Sequence, residues 1–343
     1  MKRTLLLLAL TCASLLAQGT HKLLKTAKVG GMGGFDYVYA DSDGRKLYVA
    51  RGGATQGAAG RVDIYNLDTL EHMGEIPETS ARGAAVDPKS HHGFATSKPV
   101  AMWDTKTLKL IKTIDVEGAP DGILFDHFNQ RVWILSHRAP NATVINTVDG
   151  TVVGTVDLEG APEQAVTDGK GHMWIDIEDK ANVAMVDTKT MKVTAHFELG
   201  EKNNTPAGLA FDEKNRILFV ACRQPAPGVM VMLNADTGKI LQTLPLDGGS
   251  DGAVFNHKTM EAYSSAGNGT LTVIKETSPT TFVVEETVKT MNSAKTLTLD
   301  AKTGHVLLIG AEYGPAPAPA QPGGRPQRGP MLEGSFSVLV VGK

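Results

Sequence analysis

The stretch "EGAPDGILFD" (117–126) returns 42 residues later as "EGAPEQAVTD" (159–168). Near-repetition at that distance is the mark of a repeat architecture, in which one supersecondary unit is copied along the chain. Aligned on this phrase, the sequence holds seven such segments: "FDYVYAD", "RGAAVD", "DGILFD", "EQAVTD", "AGLAFD", "DGAVFN" and "KTLTLD". They close on Asp41, Asp87, Asp126, Asp168, Asp212, Asn256 and Asp300, in steps of 39 to 46 residues. Each closing Asp or Asn opens a polar turn such as "DSDGRK" or "DEKNR". Asx side chains favour turns because they hydrogen-bond the backbone two residues on.

A second apolar segment follows each turn ("LYVA", "VWILS", "LFVAC"), then a third ("VDIYNLDTLE", "VAMVDTKTMK"), then a fourth ("LIKTIDV", "ILQTLPL"). Alternation and β-branched content predict strands, and no helix is predicted in the body of the chain. Four strands every 39 to 46 residues predict propeller blades. The expected fold is therefore all-β, a seven-bladed β-propeller of four-stranded blades. The seventh blade has a third strand, "SFSVLVV" (335–341), and then the chain stops. Its missing fourth strand is predicted to be "HKLLKTAKV" (21–29), which closes the ring and removes a bare sheet edge.

The 343 residues carry 34 Lys and Arg against 37 Asp and Glu, for a net charge of −3, and no long basic run. A nucleic-acid surface is not expected. Lys2-Arg3 followed by "TLLLLALTCASLLA" (4–17) reads as a secretory signal of about 19 residues. Export to the periplasm or beyond is expected, with 20–343 as one propeller domain. No segment is long and apolar enough to span a bilayer. Cys222 is the one cysteine outside that leader, so no disulfide is expected. A monomer is expected.

Several motif matches lose their chemistry in this context. "GGSDG" (248–252) fits G-x-S-x-G, but a strand follows it where a nucleophile elbow needs a helix. "GGMGGF" (30–35) precedes no helix that could present an N-terminus to phosphate, and reads as a tight blade entry. The histidines form no H-E-x-x-H pair, and Trp103, Trp133 and Trp174 read as packing between blades.

Loops entering the inner strand and loops joining strands two and three share one face of a propeller. Here that face carries "RGGATQGAAG" (51–60), "SHRAPN" (136–141), "EDKAN" (178–182), "RQPAPG" (223–228) and a Pro/Gly-rich insertion at 312–334 with six of the 17 prolines. The insertion is expected to be an extended arm or lid. Long loops on a rigid scaffold are where binding residues concentrate.

Five residues before each turn Asp or Asn stands the residue at the channel entrance. Those are Asp36, Arg82, Asp121, Glu163, Ala207, Asp251 and Lys295. Arg82 and Lys295 each fall between two aspartates. Asp121 and Glu163 are adjacent with no ring cation between them, and Ala207 beside them is expected to leave room. His137 and Arg138 are placed to rim the same pocket. This sector is the expected ligand site, with Asp121 and Glu163 able to hold a divalent cation such as calcium.

The "GAPDG"-type entries, the "LYVA" and "LFVA" second strands and the "VAMVDTKTMKV" turn resemble the YncE-like, YVTN-repeat family of seven-bladed propellers across residues 21–343. The resemblance implies the fold and leaves the chemistry open. Three functions are compatible: a non-catalytic binding or scaffold propeller taking a small-molecule or protein ligand on the long-loop face; a hydrolase or lyase, lactonase-like, with an acidic or metal-assisted centre; and the propeller subunit of a periplasmic dehydrogenase. Lactonase-type propellers carry Arg-His after the Gly-Pro entry, and this chain has Asp121-Gly122 or Glu163-Gln164 instead.

Overall fold

The computed structural model describes residues 20–55, 58–317 and 328–343; the leader read at 1–19 lies outside them. The described chain forms seven four-stranded antiparallel sheets. The helical content is one turn of 3-10 helix at Glu178–Lys180. Inner strands run Phe35–Asp41, Ala84–Asp87, Pro120–Asp126, Pro162–Thr167, Asn204–Asp212, Ser250–Asn256 and Thr296–Leu299 for blades one to seven. Blade seven is completed from the other end of the chain. Lys22–Lys28 pairs antiparallel with Ser337–Gly342, from Lys22 opposite Gly342 to Lys28 opposite Ser337.

Each blade packs on a neighbour through both faces, so middle strands are buried on both sides and lose the alternation of a half-exposed strand. "VWILS" shows the result: Trp133 and Leu135 enter the core between blades three and four, while Val132 and Ile134 enter the core between blades two and three. One such apolar cluster fills each of the seven blade interfaces. Trp103, Trp133 and Trp174 are fully buried in them.

The turn aspartates also tie blades together. Asp87 caps its own turn through the Lys89 amide, and its other oxygen accepts from Thr147 Oγ1 of the next blade at 2.6 Å. Arg216 reaches back to Asp168 at 3.2 Å, and Arg45 to Asp300 at 2.8 Å across the closure. The glycine turn at 30–34 is fixed there by buried Arg51, whose Nη2 donates to the Gly31 carbonyl at 3.1 Å. The Arg51 guanidinium also lies 3.6 Å over the Phe336 ring.

The insertion departs from a free arm at its base. Tyr313 and Met331 form an antiparallel bridge, the Gly314 amide donates to the Pro330 carbonyl at 2.8 Å, and Arg328 stacks over Tyr313. Residues 318–327, its tip, are outside the described residues.

Candidate functional site

The inner strands do not enter the channel in regular register. Pairing with the second strand skips between Phe35 and Val38, Pro120 and Ile123, Pro162 and Ala165, Pro206 and Gly208, and Ser250 and Ala253. A bulge frees its residues from the ladder and re-aims their side chains. In five blades the bulge coincides with the channel-entrance position, which is why that position projects at the mouth.

The second bulge residue explains the changed letters of the repeat. A Cβ on Gly122 would sit 2.4 Å from the Glu163 carbonyl oxygen, and one on Gly208 would sit 2.6 Å from the Gly252 carbonyl carbon. Blades approach too closely there for a side chain. Tyr37 and Gln164 are exceptions and cross the channel instead. The Tyr37 hydroxyl, from blade one, donates to Glu163 Oε2 of blade four at 2.9 Å. Gln164 Oε1 accepts from the Leu209 and Ala253 amides at 3.0 and 3.2 Å, and its Nε2 donates to the Ala253 carbonyl at 3.1 Å. Below them the channel is lined by Leu124, Val166, Phe211 and Leu299, so the charged mouth has an apolar shaft behind it.

The mouth is a closed circuit in which carboxyl groups alternate with basic side chains. Asp36 meets Arg82 at 3.0 Å, and Arg82 meets Asp121 at 3.3 Å. His137 Nε2 lies 3.2 Å from Asp121 Oδ2 and 3.6 Å from Glu163 Oε1. Arg223 spans from Glu163, at 3.9 Å, to Asp251, and also pairs with Glu178. Lys295 joins Asp251 to Asp36, at 3.6 Å from the latter. Asp36, Arg82, Asp121, Glu163, Asp251, Lys295 and His137 are thus brought together.

One expectation is corrected. The gap at Ala207 is not left open, because Arg223 of the same blade spans from Glu163 and Glu178 of blade four to Asp251 of blade six. Arg138 is exposed and makes no ion pair among the described residues. Its backbone matters instead, since the Ser136 hydroxyl donates to its carbonyl and accepts from its amide, fixing the turn that presents His137. Arg223, Tyr37 and Asp176 were not anticipated. Arg223 sits at the end of a second strand, outside the repeated ring position. Tyr37 and Gln164 had a visible signal, standing where four of the seven copies have glycine.

Burial raises Asp121, with Asp36 adding to it, against the opposing charges of His137 and Arg82. Burial also raises Glu163 well above the carboxylate range, with Asp176 and Asp121 adding and the Tyr37 hydrogen bond opposing. Asp176, fully buried behind them, is pushed up to about 8 by burial despite accepting the Gln164 amide at 2.6 Å. The charged form of the carboxyl groups is therefore poorly compensated on the Asp121–Glu163 side. That side is where a cation is best accommodated, and one ligand atom each from Asp121, His137 and Glu163 lie within 4.8 Å of one another.

Fold and site together define a seven-bladed β-propeller with a charged, loop-rimmed channel mouth. No family model matches the sequence, and no curated protein matches it. Among solved structures, hydrazine synthase of Kuenenia stuttgartiensis is similar, with a TM-score of 0.69 and 14% identity over 81% of this chain and 92% of that one. The likeness is one of fold. Among the described residues, no helix is long and apolar enough to cross a membrane.

Proposed function

We propose that this chain is an exported, YncE-like binding propeller that takes a small polar ligand with a cationic group at its channel mouth. The single observation carrying the reading is the uneven pairing of the circuit. Asp36 and Asp251 each touch two of the fixed cations Arg82, Arg223 and Lys295, whereas Asp121 and Glu163 each touch one, Arg82 and Arg223 respectively, and otherwise share the partly exposed imidazole of His137. A ligand cation gains most where the carboxylates are least compensated. The long loops around this face supply further contacts and the surface for a protein partner.

The test is thermal melting, with chelator present, of the chain without its leader against an aliphatic polyamine and an amino sugar. The pair Asp121→Asn with Glu163→Gln is expected to abolish any ligand-induced rise in melting temperature. The pair Asp36→Asn with Asp251→Asn is expected to retain most of it. Identical behaviour of the two pairs contradicts the reading.

A hydrolase or lyase is the second reading. The observation favouring it is Glu163, whose raised carboxyl stays protonated near neutral pH and can act as a general acid. Turnover of a lactone lost in Glu163→Gln would establish it over simple binding.

A further inference from the structure

The same sector has the geometry of a transition-metal site. This inference rests on the reading of the mouth as the binding site and gives it a chemical class. We infer that Asp121 Oδ2, His137 Nε2 and Glu163 Oε1 bind one divalent ion of the zinc class, with a coordination position left open to the channel.

Spacing is the first argument. His137 Nε2 stands 3.2 Å from Asp121 Oδ2 and 3.6 Å from Glu163 Oε1. Zinc bonds of about 2.0–2.1 Å in tetrahedral geometry put neighbouring ligand atoms about 3.3–3.4 Å apart. The two separations bracket that edge and all three atoms lie within 4.8 Å of one another, a triangle that closes on an ion by side-chain adjustment.

The outer contacts are the second argument. Metal-bound carboxylates are held by hydrogen bonds to their other oxygen, which aims the ligating one. Here the Tyr37 hydroxyl holds Glu163 Oε2 at 2.9 Å, leaving Oε1 toward His137. Arg82 Nε stands 3.3 Å from Asp121 Oδ1, leaving Oδ2 toward His137. Asp121 is only 7% exposed, and Oδ1 has no hydrogen bond of good geometry, the Arg82 contact being purely ionic. An ion on Oδ2 would compensate the charge of this buried carboxylate, which lacks a hydrogen bond at Oδ1.

Charge is the third. Asp36, Asp121, Glu163, Glu178 and Asp251 share only three fixed cations, Arg82, Arg223 and Lys295, so carboxyl groups outnumber cations at the mouth and a divalent ion supplies the positive charge that is short there. The ligand set selects the ion. Calcium takes six to eight oxygens, and this set has one imidazole and two carboxylates, the nitrogen-and-oxygen mixture suited to zinc and its neighbours. His137 is 36% exposed, so the fourth position faces the channel mouth, as in zinc sites that receive water or substrate.

Isothermal titration of the metal-stripped protein lacking its leader, with zinc chloride and separately with calcium chloride, tests this. One zinc per chain is expected, with calcium at least about a hundredfold weaker. His137→Ala and Glu163→Gln are each expected to weaken zinc by at least about a hundredfold, the upper end for loss of a supporting contact alone. Tyr37→Phe, which removes only the hydrogen bond to Oε2, is expected to weaken it by about ten- to a hundredfold. His72→Ala, in the separate Asp63–His72–Glu75 group, is expected to leave it unchanged. Melting curves of each variant establish that it is folded. Zinc binding unaffected by His137→Ala, no stoichiometric zinc binding, or tighter calcium binding overturns the inference. If zinc fails while the two double variants still differ toward the organic cations, the metal assignment alone falls.

Discussion

Gly122 and Gln164 occupy equivalent places in blades three and four, and their difference is set by a single distance. The Glu163 carbonyl stands where a Gly122 Cβ would go, at 2.4 Å. Gly122→Ala must push the two inner strands apart, and a loss of about 1–3 kcal/mol is expected, the usual range for overpacking. Chemical denaturation measures it; an unchanged midpoint means the strands part freely. Glu276 gives a second residue-scale test. Its Oε1 accepts from Asn215 at 2.6 Å, while Oε2 is buried with no partner. Burial first, then Asp212, pushes its carboxyl up to about 7 from 4.5. The folded state therefore binds a proton that the unfolded chain has lost, and stability falls as pH rises from 4.5 toward 7. Glu276→Gln is expected to raise the melting temperature at pH 8 and to change it little at pH 4.5. An equal effect at both values contradicts this account.

At the scale of elements, the strand Lys22–Lys28 closes the ring, and residues at both chain ends converge beside it. His21 Nδ1 lies 2.7 Å from Glu286, and its Nε2 lies 3.0 Å from the Tyr263 hydroxyl and 3.4 Å from Glu261. Lys343 reaches the same Glu261 at 2.7 Å, with Lys275 at 3.8 Å. Burial lowers His21, but Glu261 and Glu286 outweigh it and raise it above 6.5. That contribution is complete below 6.5 and lost as pH rises through the folded value. Burial raises Glu261, but His21, Lys343 and Tyr263 hold it far below 4.5, so its contribution is present above 4.5 and lost in acid. Glu285 nearby is raised, by burial and Glu261. The clasp is thus strongest between about pH 4.5 and 6.5. His21→Ala is expected to cost about 1.5–3 kcal/mol in that window and progressively less as pH rises through the folded value. Deleting 20–29 is expected to lower melting temperature and promote aggregation by baring an edge. Unchanged melting and solubility would mean that the strand does not hold the ring. The strand itself was legible because blade seven ran out of sequence at 335–341. The clasp was not, because Glu261, Tyr263 and Glu286 belong to blade six and carry no signal that tells them from ordinary strand residues.

Across the whole molecule, repetition is what made the fold readable: seven turn aspartates or asparagines at near-even spacing define seven inner strands, and hence which residues face one another across a channel 126 positions apart in sequence, as Tyr37 and Glu163 do. It also placed Asp36, Arg82, Asp121, Glu163, Asp251 and Lys295 in one circuit. It failed where the chain leaves the repeat. Arg223 comes from the end of a second strand, off the repeated ring position, so nothing in the repeat marks it as the residue that fills the gap at Ala207. The central claim is that this rigid, largely self-paired mouth has one under-compensated sector, and that this sector is where it binds. Anomalous diffraction from crystals of the protein lacking residues 1–19, purified without chelator and supplied with zinc, tests it most directly. The account predicts a single strong peak within bonding distance of Asp121 Oδ2, His137 Nε2 and Glu163 Oε1. A mouth in which His137 hydrogen-bonds both carboxylates directly, with the metal elsewhere or nowhere, would contradict it.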